Sequence, residues 1–167
     1  MRLDVIKRAQ ELFWNTFGVT AEFGGTAPGR VELLGNHTDY NGGFVLTAAV
    51  DIRTAVVLRQ SNGCNTRICT ELSGGKVANV VLGDGPDSLE DESRWCGYVA
   101  GVLDYYAPAG SSWDVAIASD VPDGSGISSS AAVLVASASA ILEALGSVVS
   151  PMEVDRKSTR LNSSHSL

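Results

Sequence analysis

The stretch Asp120-Val-Pro-Asp-Gly-Ser-Gly-Ile-Ser-Ser-Ser-Ala-Ala132 opens directly into a long run of apolar and small residues. This pattern predicts a glycine- and serine-rich loop that leads into the N-terminus of a buried helix over 127–145. The first N–H groups of a helix have no partner within it and carry a partial positive charge, which favours a bound phosphate. Gly124 and Gly126 would let the backbone approach such an anion closely. The alternative interpretation is that the loop only turns the chain and that its serines cap a core helix.

Length and composition indicate a single globular domain. The chain has 167 residues, of which 44% are hydrophobic, enough for a sizeable core. Its net charge of −7 argues against sequence-independent binding of nucleic acid and against binding of an anionic membrane, because both need a basic face. The sequence contains no apolar run of about 18 residues, and charges among the first residues lead us to expect no signal peptide. We therefore expect a cytoplasmic, monomeric protein with neither nucleic-acid nor membrane partners.

The three cysteines indicate reduced thiols. Cys64, Cys69 and Cys96 form no C-x-x-C pair, and only two histidines could share a metal ion with them. An odd number of cysteines also does not suit a framework of disulfides.

Hydrophobic periodicity predicts three helices and several short strands. We expect helices over 3–17, 95–106 and 127–145, and strands over 19–23, 30–34, 44–58, 66–72, 77–82 and 113–118. Lys7, Arg8 and Glu11 lie on the polar side of the first helix, opposite its apolar positions. The turn signal Ser61-Asn-Gly63 predicts an antiparallel hairpin between the strands 44–58 and 66–72. Strands without strict βαβ alternation indicate an α+β fold with a mixed or antiparallel sheet.

Two segments stand apart from this pattern. The polar segment Gly35–Gly43 lies between two apolar runs, which favours a functional loop. Residues 156–167 carry three cations and no acid, and they lack an apolar period. We expect one domain over 1–155, followed by a basic, serine-rich tail over 156–167 that is either unstructured or appended non-native sequence.

Neither of the two common phosphate-loop patterns fits the stretch at 120–132. A Walker A loop needs Gly-Lys-Ser or Gly-Lys-Thr, which none of the lysines Lys7, Lys76 and Lys157 supplies. The segment Gly124-Ser-Gly-Ile-Ser-Ser129 lacks the third glycine of a dinucleotide-binding loop. If a phosphate is bound, a different architecture must hold it.

Two motifs resemble those of the GHMP kinase superfamily. Ala27-Pro-Gly-Arg-Val-Glu-Leu-Leu-Gly-Asn-His-Thr-Asp-Tyr-Asn-Gly-Gly-Phe-Val-Leu46 resembles the galactokinase signature, and Pro122-Asp-Gly-Ser-Gly-Ile-Ser-Ser-Ser-Ala131 resembles the ATP-binding motif of the wider superfamily. The resemblance implies the N-terminal lobe of these kinases, an α+β fold like domain 2 of ribosomal protein S5. It also implies ATP- and Mg²⁺-dependent phosphorylation of galactose at its C1 hydroxyl.

The resemblance assigns roles to residues of both motifs. It implies that Arg30 lies near the reacting hydroxyl and the transferred phosphoryl group. It implies that the sugar hydroxyls are bound by Asn36, His37 and Asp39, and that the nucleotide phosphates are wrapped by Gly124, Ser125, Gly126, Ser128, Ser129 and Ser130. The hydroxyl of Ser130 would help to hold Mg²⁺. Such groups suit the chemistry, because a pyranose offers only hydroxyls and phosphoryl transfer needs neutralisation of charge on the γ-phosphate.

The chain departs from the galactokinase pattern at three positions. Asn36 stands where an acid is common, so the preferred sugar stays open; Glu32 and Thr47 stand where asparagine and proline are usual. A GHMP kinase for another sugar is therefore an alternative, and a non-catalytic sensor of sugar and nucleotide is a further one.

The catalytic aspartate of the family belongs to a segment beyond the serine-rich helix. Asp104, Asp114 and Asp120 do not match that segment. We therefore expect the chain to correspond to the N-terminal part of a galactokinase and to show negligible turnover alone.

Overall fold

The computed structural model describes residues 4–35, 43–74, 76–84 and 96–147. This part of the chain forms three α-helices and five β-strands, and the three predicted helices are confirmed. In chain order the elements are α1 (Val5–Phe17), β1 (Phe23–Leu34), β2 (Leu46–Ser61), β3 (Thr66–Thr70), β4 (Val77–Val80), α2 (Gly97–Tyr106), β5 (Ser112–Ser119) and α3 (Ser129–Ala144). A short 3-10 turn, Glu71–Ser73, follows β3.

The strands form one mixed sheet in the order β1-β2-β5-β3-β4. Neighbouring strands run antiparallel, except β3 and β5, which run parallel. The central strand β5 is buried from Ser112 to Ala118. The expected α+β fold with a mixed sheet is therefore confirmed.

Helices cover both faces of the sheet. On one face α1 buries Val5, Ala9 and Phe13 in a cluster that includes the β2 residue Val57. On the other face α2 and α3 share a larger cluster with the alternate strand residues, among them Val56. Neighbouring strand residues point to opposite faces, so the sheet separates the two clusters.

The predicted hairpin between the strands 44–58 and 66–72 is wrong. β2 and β3 do not pair with each other, because β5 lies between them and pairs with both. The Ser112 hydroxyl lies 3.0 Å from the carbonyl oxygen of Ser61 and 2.6 Å from that of Gly63, so the turn crosses the end of β5. The backbone N–H and C=O groups along both edges of a buried strand such as β5 need hydrogen-bond partners, which the strands on its two sides supply, and such long-range pairing has no local sequence signal.

The two strands predicted at 19–23 and 30–34 are wrong as separate elements, since Phe23–Leu34 is one continuous strand. The intervening segment, expected to be a loop, lies within it. Pro28 is tolerated because β1 is at the edge of the sheet, where one side of the strand needs no donor for a ladder. The register with β2 shifts between Pro28 and Arg30, as at a β-bulge.

The remaining expectations concern membranes, thiols and the tail. None of the helices described is long and apolar enough to cross a bilayer. Cys64 is exposed, Cys69 and Cys96 are buried, and all three are free thiols as expected. The tail at 156–167 lies outside the described residues, so the boundary at 155 stays a prediction.

Candidate functional site

A cavity of about 320 Å³ lies between the β1–β2 edge of the sheet and the first turns of α3. A volume of this size is typical of a small-molecule site. Short side chains form most of the wall, and Arg30 is the one charged residue among the described residues that line it. The wall consists of Ala27, Pro28, Gly29, Arg30, Thr47, Ala49, Ser128, Ala131, Ala132 and Val135.

Glycines in β1 bring the strand close to α3. A Cβ at Gly25 would overlap the carbonyl oxygen of Ala136 and would lie 2.8 Å from the backbone nitrogen of Ala140, so no larger residue fits. Further along β1, the Arg30 N–H donates a 3.0 Å hydrogen bond to the carbonyl oxygen of Ile127. These contacts hold the strand that carries Arg30 against the residues that precede α3.

The loop before α3 contains left-handed residues at every second position from 124 to 128. Gly124 has φ +65°, Gly126 has φ +73° and Ser128 has φ +60°. The left-handed conformation costs an ordinary L-residue roughly 1–2 kcal/mol, so Ser128 is a strained residue at the edge of the cavity. Turns that include left-handed residues can gather backbone N–H groups on one side and make a concavity for an anion.

The capping interpretation is wrong for Ser128, although the turn itself is built by polar side chains. Ser128 occupies the N-cap position of α3 but makes no side-chain capping hydrogen bond. Within the loop, Asp123 Oδ1 accepts from Gly124 N at 3.0 Å and from the Ser129 hydroxyl at 3.3 Å. The first turn of α3 therefore keeps donors that its own N-cap side chain does not satisfy.

The structure brings together only some of the residues predicted to bind ligand. Arg30 and Ser128 line the same cavity. Ser129 and Ser130 are the first two residues of α3 and are half-buried beside the cavity, and Gly124, Ser125 and Gly126 are exposed in the loop that precedes it. The predicted sugar-binding residues Asn36, His37 and Asp39 lie outside the described residues.

Arg30 is the source of positive charge at this site. Its side chain is exposed, and among the described residues it makes no ion pair. The partial positive charge of the α3 N-terminus adds to its field. The chain as a whole is acidic, with a net charge of −7, so the cavity is a local exception that suits an anion.

The predicted metal ion can be tested against the donors near α3. In the described parts of the chain no three His, Cys, Asp or Glu side chains lie close enough together to hold a metal ion. Mg²⁺ in such sites is usually held by one or two carboxylates together with waters and substrate phosphates, and in some phosphate-binding loops by a serine or threonine hydroxyl as well. Ser130 offers one such hydroxyl at the start of α3.

Sequence reasoning missed an ion-pair network at the base of the loop. Arg8, on the polar side of α1, is largely shielded: its Nη1 donates to Asp120 Oδ1 at 2.8 Å. Its Nε and Nη2 donate to the two carboxylate oxygens of Glu71, at 3.0 and 3.1 Å. The carboxylates of Glu71 and then Asp120 raise the pKa of Arg8 above its usual value. No local pattern signals contacts between residues so far apart in the sequence.

Two family models match the chain. The model described as the galactokinase galactose-binding signature matches residues 11–60, which include Arg30. The model described as the GHMP kinases N terminal domain matches residues 97–165, which include α3 and the loop before it. The cavity lies where the two matched ranges meet.

Several solved structures share the fold. Galactokinase from Lactococcus lactis, crystallised with galactose, is similar at a TM-score of 0.77 and 25% identity, over 93% of this chain and 42% of that one. A D-glycero-D-manno-heptose 1-phosphate kinase from Bacteroides thetaiotaomicron is similar at 0.69 and 20% identity, over 84% and 47%. Phosphomevalonate kinase from Streptococcus pneumoniae, in complex with phosphomevalonate and AMPPNP, is similar at 0.60 and 16% identity, over 82% and 42%. The expected N-terminal lobe is confirmed, and the chain spans less than half the length of these structures.

Proposed function

Because the chain belongs to the GHMP kinase family of phosphotransferases, we propose that it provides the nucleotide-phosphate and sugar sites of a galactokinase. The reaction is the ATP-dependent phosphorylation of galactose at its C1 hydroxyl. The observation that carries the proposal is that Arg30 and Ser128, from the two separately matched ranges, line one cavity. A sugar kinase needs such a meeting point, since the γ-phosphate must reach the sugar hydroxyl.

The phosphates of ATP bind at the start of α3. Phosphate oxygens accept hydrogen bonds from the first N–H groups of the helix, which Ser128 leaves uncapped. Arg30 offers a forked cation from the opposite wall, a geometry that matches phosphate oxygens. The helix N–H groups and Arg30 both stabilise negative charge on the transferred phosphoryl group, and such electrostatic stabilisation is a main source of catalysis in phosphoryl transfer.

The sugar binds through the segment that joins β1 to β2. In it, the Asn36 amide and the His37 ring can donate to or accept from sugar hydroxyls, and the Asp39 carboxylate accepts from them. A site built on such hydrogen bonds discriminates against sugars that lack a hydroxyl. The flanking strands contribute Arg30 and Thr47 to the cavity, which supports a position of the C1 hydroxyl beside the phosphates.

The Ser130 hydroxyl would help to hold a Mg²⁺ ion that accompanies the nucleotide, and that ion would supply neutralisation of charge on the phosphates. We place the protein in the cytoplasm as a monomer. The three free thiols support that compartment, because disulfides are rare there.

The first experiment measures binding of AMPPNP with Mg²⁺ to the chain by calorimetry. Arg30→Ala removes a charged donor from the cavity and is expected to weaken binding about 10- to 100-fold. The matched control is Arg59→Ala, since Arg59 lies on β2 and pairs with Glu22 at 3.1 Å away from the cavity. Equal losses in both variants would mean that Arg30 contributes only to the general charge of the chain.

A kinase for another sugar is the second candidate, favoured by Asn36 where galactokinases commonly carry an acid. The similarity to a heptose phosphate kinase is compatible with it. Titration of the chain with galactose, other hexoses, and N-acetylated and uronic sugars distinguishes the two candidates. Preference for galactose supports the proposal, and preference for a modified sugar overturns its substrate. Binding of both ligands by the whole kinase without release of ADP would indicate a sensor.

A further inference from the structure

We propose that Arg8 is a positioning residue for the phosphate-binding loop, defined as Asp120–Ser128. It holds the first residue of this loop and so sets the place of the α3 N-terminus. The inference rests on the proposed function for its effect on nucleotide affinity, but its effect on loop order can be measured without any ligand.

The Arg8 guanidinium uses two sides for two different carboxylates. Its Nε and Nη2 form a forked pair with Glu71, at the 3-10 turn after β3, and its Nη1 points to Asp120. A forked arginine–carboxylate pair fixes the plane of the guanidinium. Glu71 therefore orients the Arg8 side chain, and the remaining donor lies 2.8 Å from Asp120 Oδ1.

Asp120 is the point where the loop leaves the sheet. It follows the last residue of β5, and its N–H donates to the carbonyl oxygen of Arg53 on β2 at 2.9 Å. The next residue, Val121, donates its N–H to the Ser119 hydroxyl at 3.1 Å. After these contacts the side-chain hydrogen bonds described for the loop, such as Ser125 to the Pro122 carbonyl, are made within it.

The far end of the loop is held separately. The carbonyl oxygen of Ile127 accepts the 3.0 Å hydrogen bond from the N–H of Arg30. The loop is held at its start by Arg8, by the Asp120 N–H and by the Val121 side chain, which is only 3% exposed in the cluster with α3. Its end is held by Arg30 on β1, and the glycines in between are exposed. Arg8 holds the side chain of Asp120, the residue at which the loop leaves the sheet, so its loss loosens the segment that feeds α3.

The ion pair between Arg8 and Asp120 is largely shielded from solvent. The Arg8 and Asp120 side chains are each only 18% exposed, so salt and water screen their interaction less than that of an open surface pair. α1 packs on the face of the sheet opposite α3. Arg8 therefore links a helix that contributes no residue to the cavity wall to the loop that opens into the cavity.

The chain offers a matched control at the other end of β5. Arg67 on β3 forms a forked pair with Asp114 on β5, at 2.7 and 2.8 Å, and its guanidinium lies over the Phe17 ring. This pair also joins an arginine to an aspartate of the same strand region, but it touches no residue of the loop. Its loss should weaken the fold without moving the α3 N-terminus.

The test combines hydrogen exchange of the unliganded chain with AMPPNP binding in the presence of Mg²⁺. In Arg8→Met we expect faster hydrogen exchange across 120–128 and roughly tenfold weaker AMPPNP binding. Arg67→Met should lower the melting temperature but leave the exchange of 120–128 and the AMPPNP affinity near those of the parent chain. Arg8→Lys, which keeps the charge and loses the fork, should recover part of the binding. The double variant Arg8→Met/Asp120→Asn should be no weaker than either single variant.

Loop exchange that rises equally in Arg8→Met and Arg67→Met, or additive losses in the double variant, would overturn the inference. If Arg8→Met does not fold, Glu71→Gln supplies the milder change, with the same expected increase in loop exchange. Failure of the parent chain to bind AMPPNP would instead count against the proposed function, and the exchange comparison would still decide the role of Arg8.

Discussion

The starts of α1 and α3 differ in a way that their sequences only partly reveal. α1 begins after Asp4, whose carboxylate accepts a 3.3 Å hydrogen bond from Ile6 N and so caps the helix. α3 begins after Ser128, which has a left-handed backbone and makes no side-chain cap. The capped start is remote from the cavity, whereas the uncapped start lines it. The comparison indicates that the second helix forgoes a local stabilising contact where a ligand can supply the acceptor.

The two helices also differ in the size of the side chains with which they pack on the sheet. α1 is amphipathic and anchors itself with large side chains such as Phe13. α3 is rich in alanine and serine, and its Ser137 and Ser139 hydroxyls donate to carbonyl oxygens of the helix itself, each at 2.8 Å. Its small residues let β1 approach at Gly25. The position of α3, and with it the cavity, therefore depends on close backbone contact.

The two substitutions with the largest expected effects distinguish packing by a large side chain under α1 from close backbone contact between β1 and α3. Phe13→Ala should cost about 3–5 kcal/mol of unfolding free energy by leaving a cavity under α1. It should change the AMPPNP affinity of the folded fraction less than Arg8→Met does, because it keeps the side chain that contacts Asp120. Gly25→Ala should cost roughly 3 kcal/mol and also weaken AMPPNP binding, because the added methyl group pushes against the Ala136 carbonyl. Urea unfolding and calorimetry check both values.

Gly110→Ala is the control for the glycine substitution. Gly110 has φ +75° and open space around its Cβ position, so alanine there should cost only the backbone strain, roughly 1–2 kcal/mol. A Gly25→Ala variant no less stable than this control would contradict the close contact between β1 and α3.

The next effect compares thiols on the two faces of the sheet. Burial raises the pKa of Cys96, in the cluster with α3, to about 11 from 9.0. A raised pKa in the folded state favours folding below pH 9, and this contribution is lost as the pH rises towards 11. We expect Cys96→Ala to flatten the loss of stability over this range by up to ~1.4 kcal/mol per pH unit, measured by urea unfolding.

Cys69, in the cluster with α1, is the comparison for Cys96. Burial also raises the pKa of Cys69, a hydrogen bond with Thr16 lowers it, and the charge of Asp114 raises it further. We expect Cys69→Ala to change the pH dependence less than Cys96→Ala does, because the Thr16 hydroxyl lies 3.7 Å from the Cys69 sulfur and can donate to its thiolate. A larger effect at Cys69 would contradict this ranking of the two faces.

The smallest effect concerns the N-caps themselves. Asp4→Ala removes a capping acceptor and should destabilise the chain by ~1 kcal/mol. Ser128→Gly removes left-handed strain and should stabilise it by ~1 kcal/mol. Urea unfolding of the two variants should give shifts of opposite sign, and shifts of the same sign would break the contrast between the two helix starts.

The sequence predicts what is local and misses what is long-range. The periodic spacing of Phe13 and its neighbours predicted α1, and the glycine-serine stretch predicted the loop before α3. The insertion of β5 between β2 and β3 could not be predicted, because the turn at Ser61–Gly63 is compatible with a hairpin as well. β1 continues through Pro28 only because it lies at an edge, which the strand order decides.

The candidate site shows the same division. Arg30 and Ser128 were singled out by their motifs, but their shared cavity follows from the packing of β1 on α3. In the sequence Thr47 stands out only as a departure from a family pattern and Ala49 does not stand out at all, because short side chains in a wall carry no chemical signal. The contact of Arg8 with Asp120 depends on the relative placement of α1 and β5, which no local pattern encodes.

Nuclear magnetic resonance of the ¹⁵N-labelled chain, titrated with AMPPNP and Mg²⁺, tests the central claim most directly. If the uncapped start of α3 and Arg30 form the phosphate site, the largest backbone amide shifts will fall on Arg30 and on Ser129–Ala131, and the capped start of α1 at Val5–Lys7 will not move. Saturable shifts centred on the start of α1, or the absence of saturable shifts at the start of α3, would contradict it.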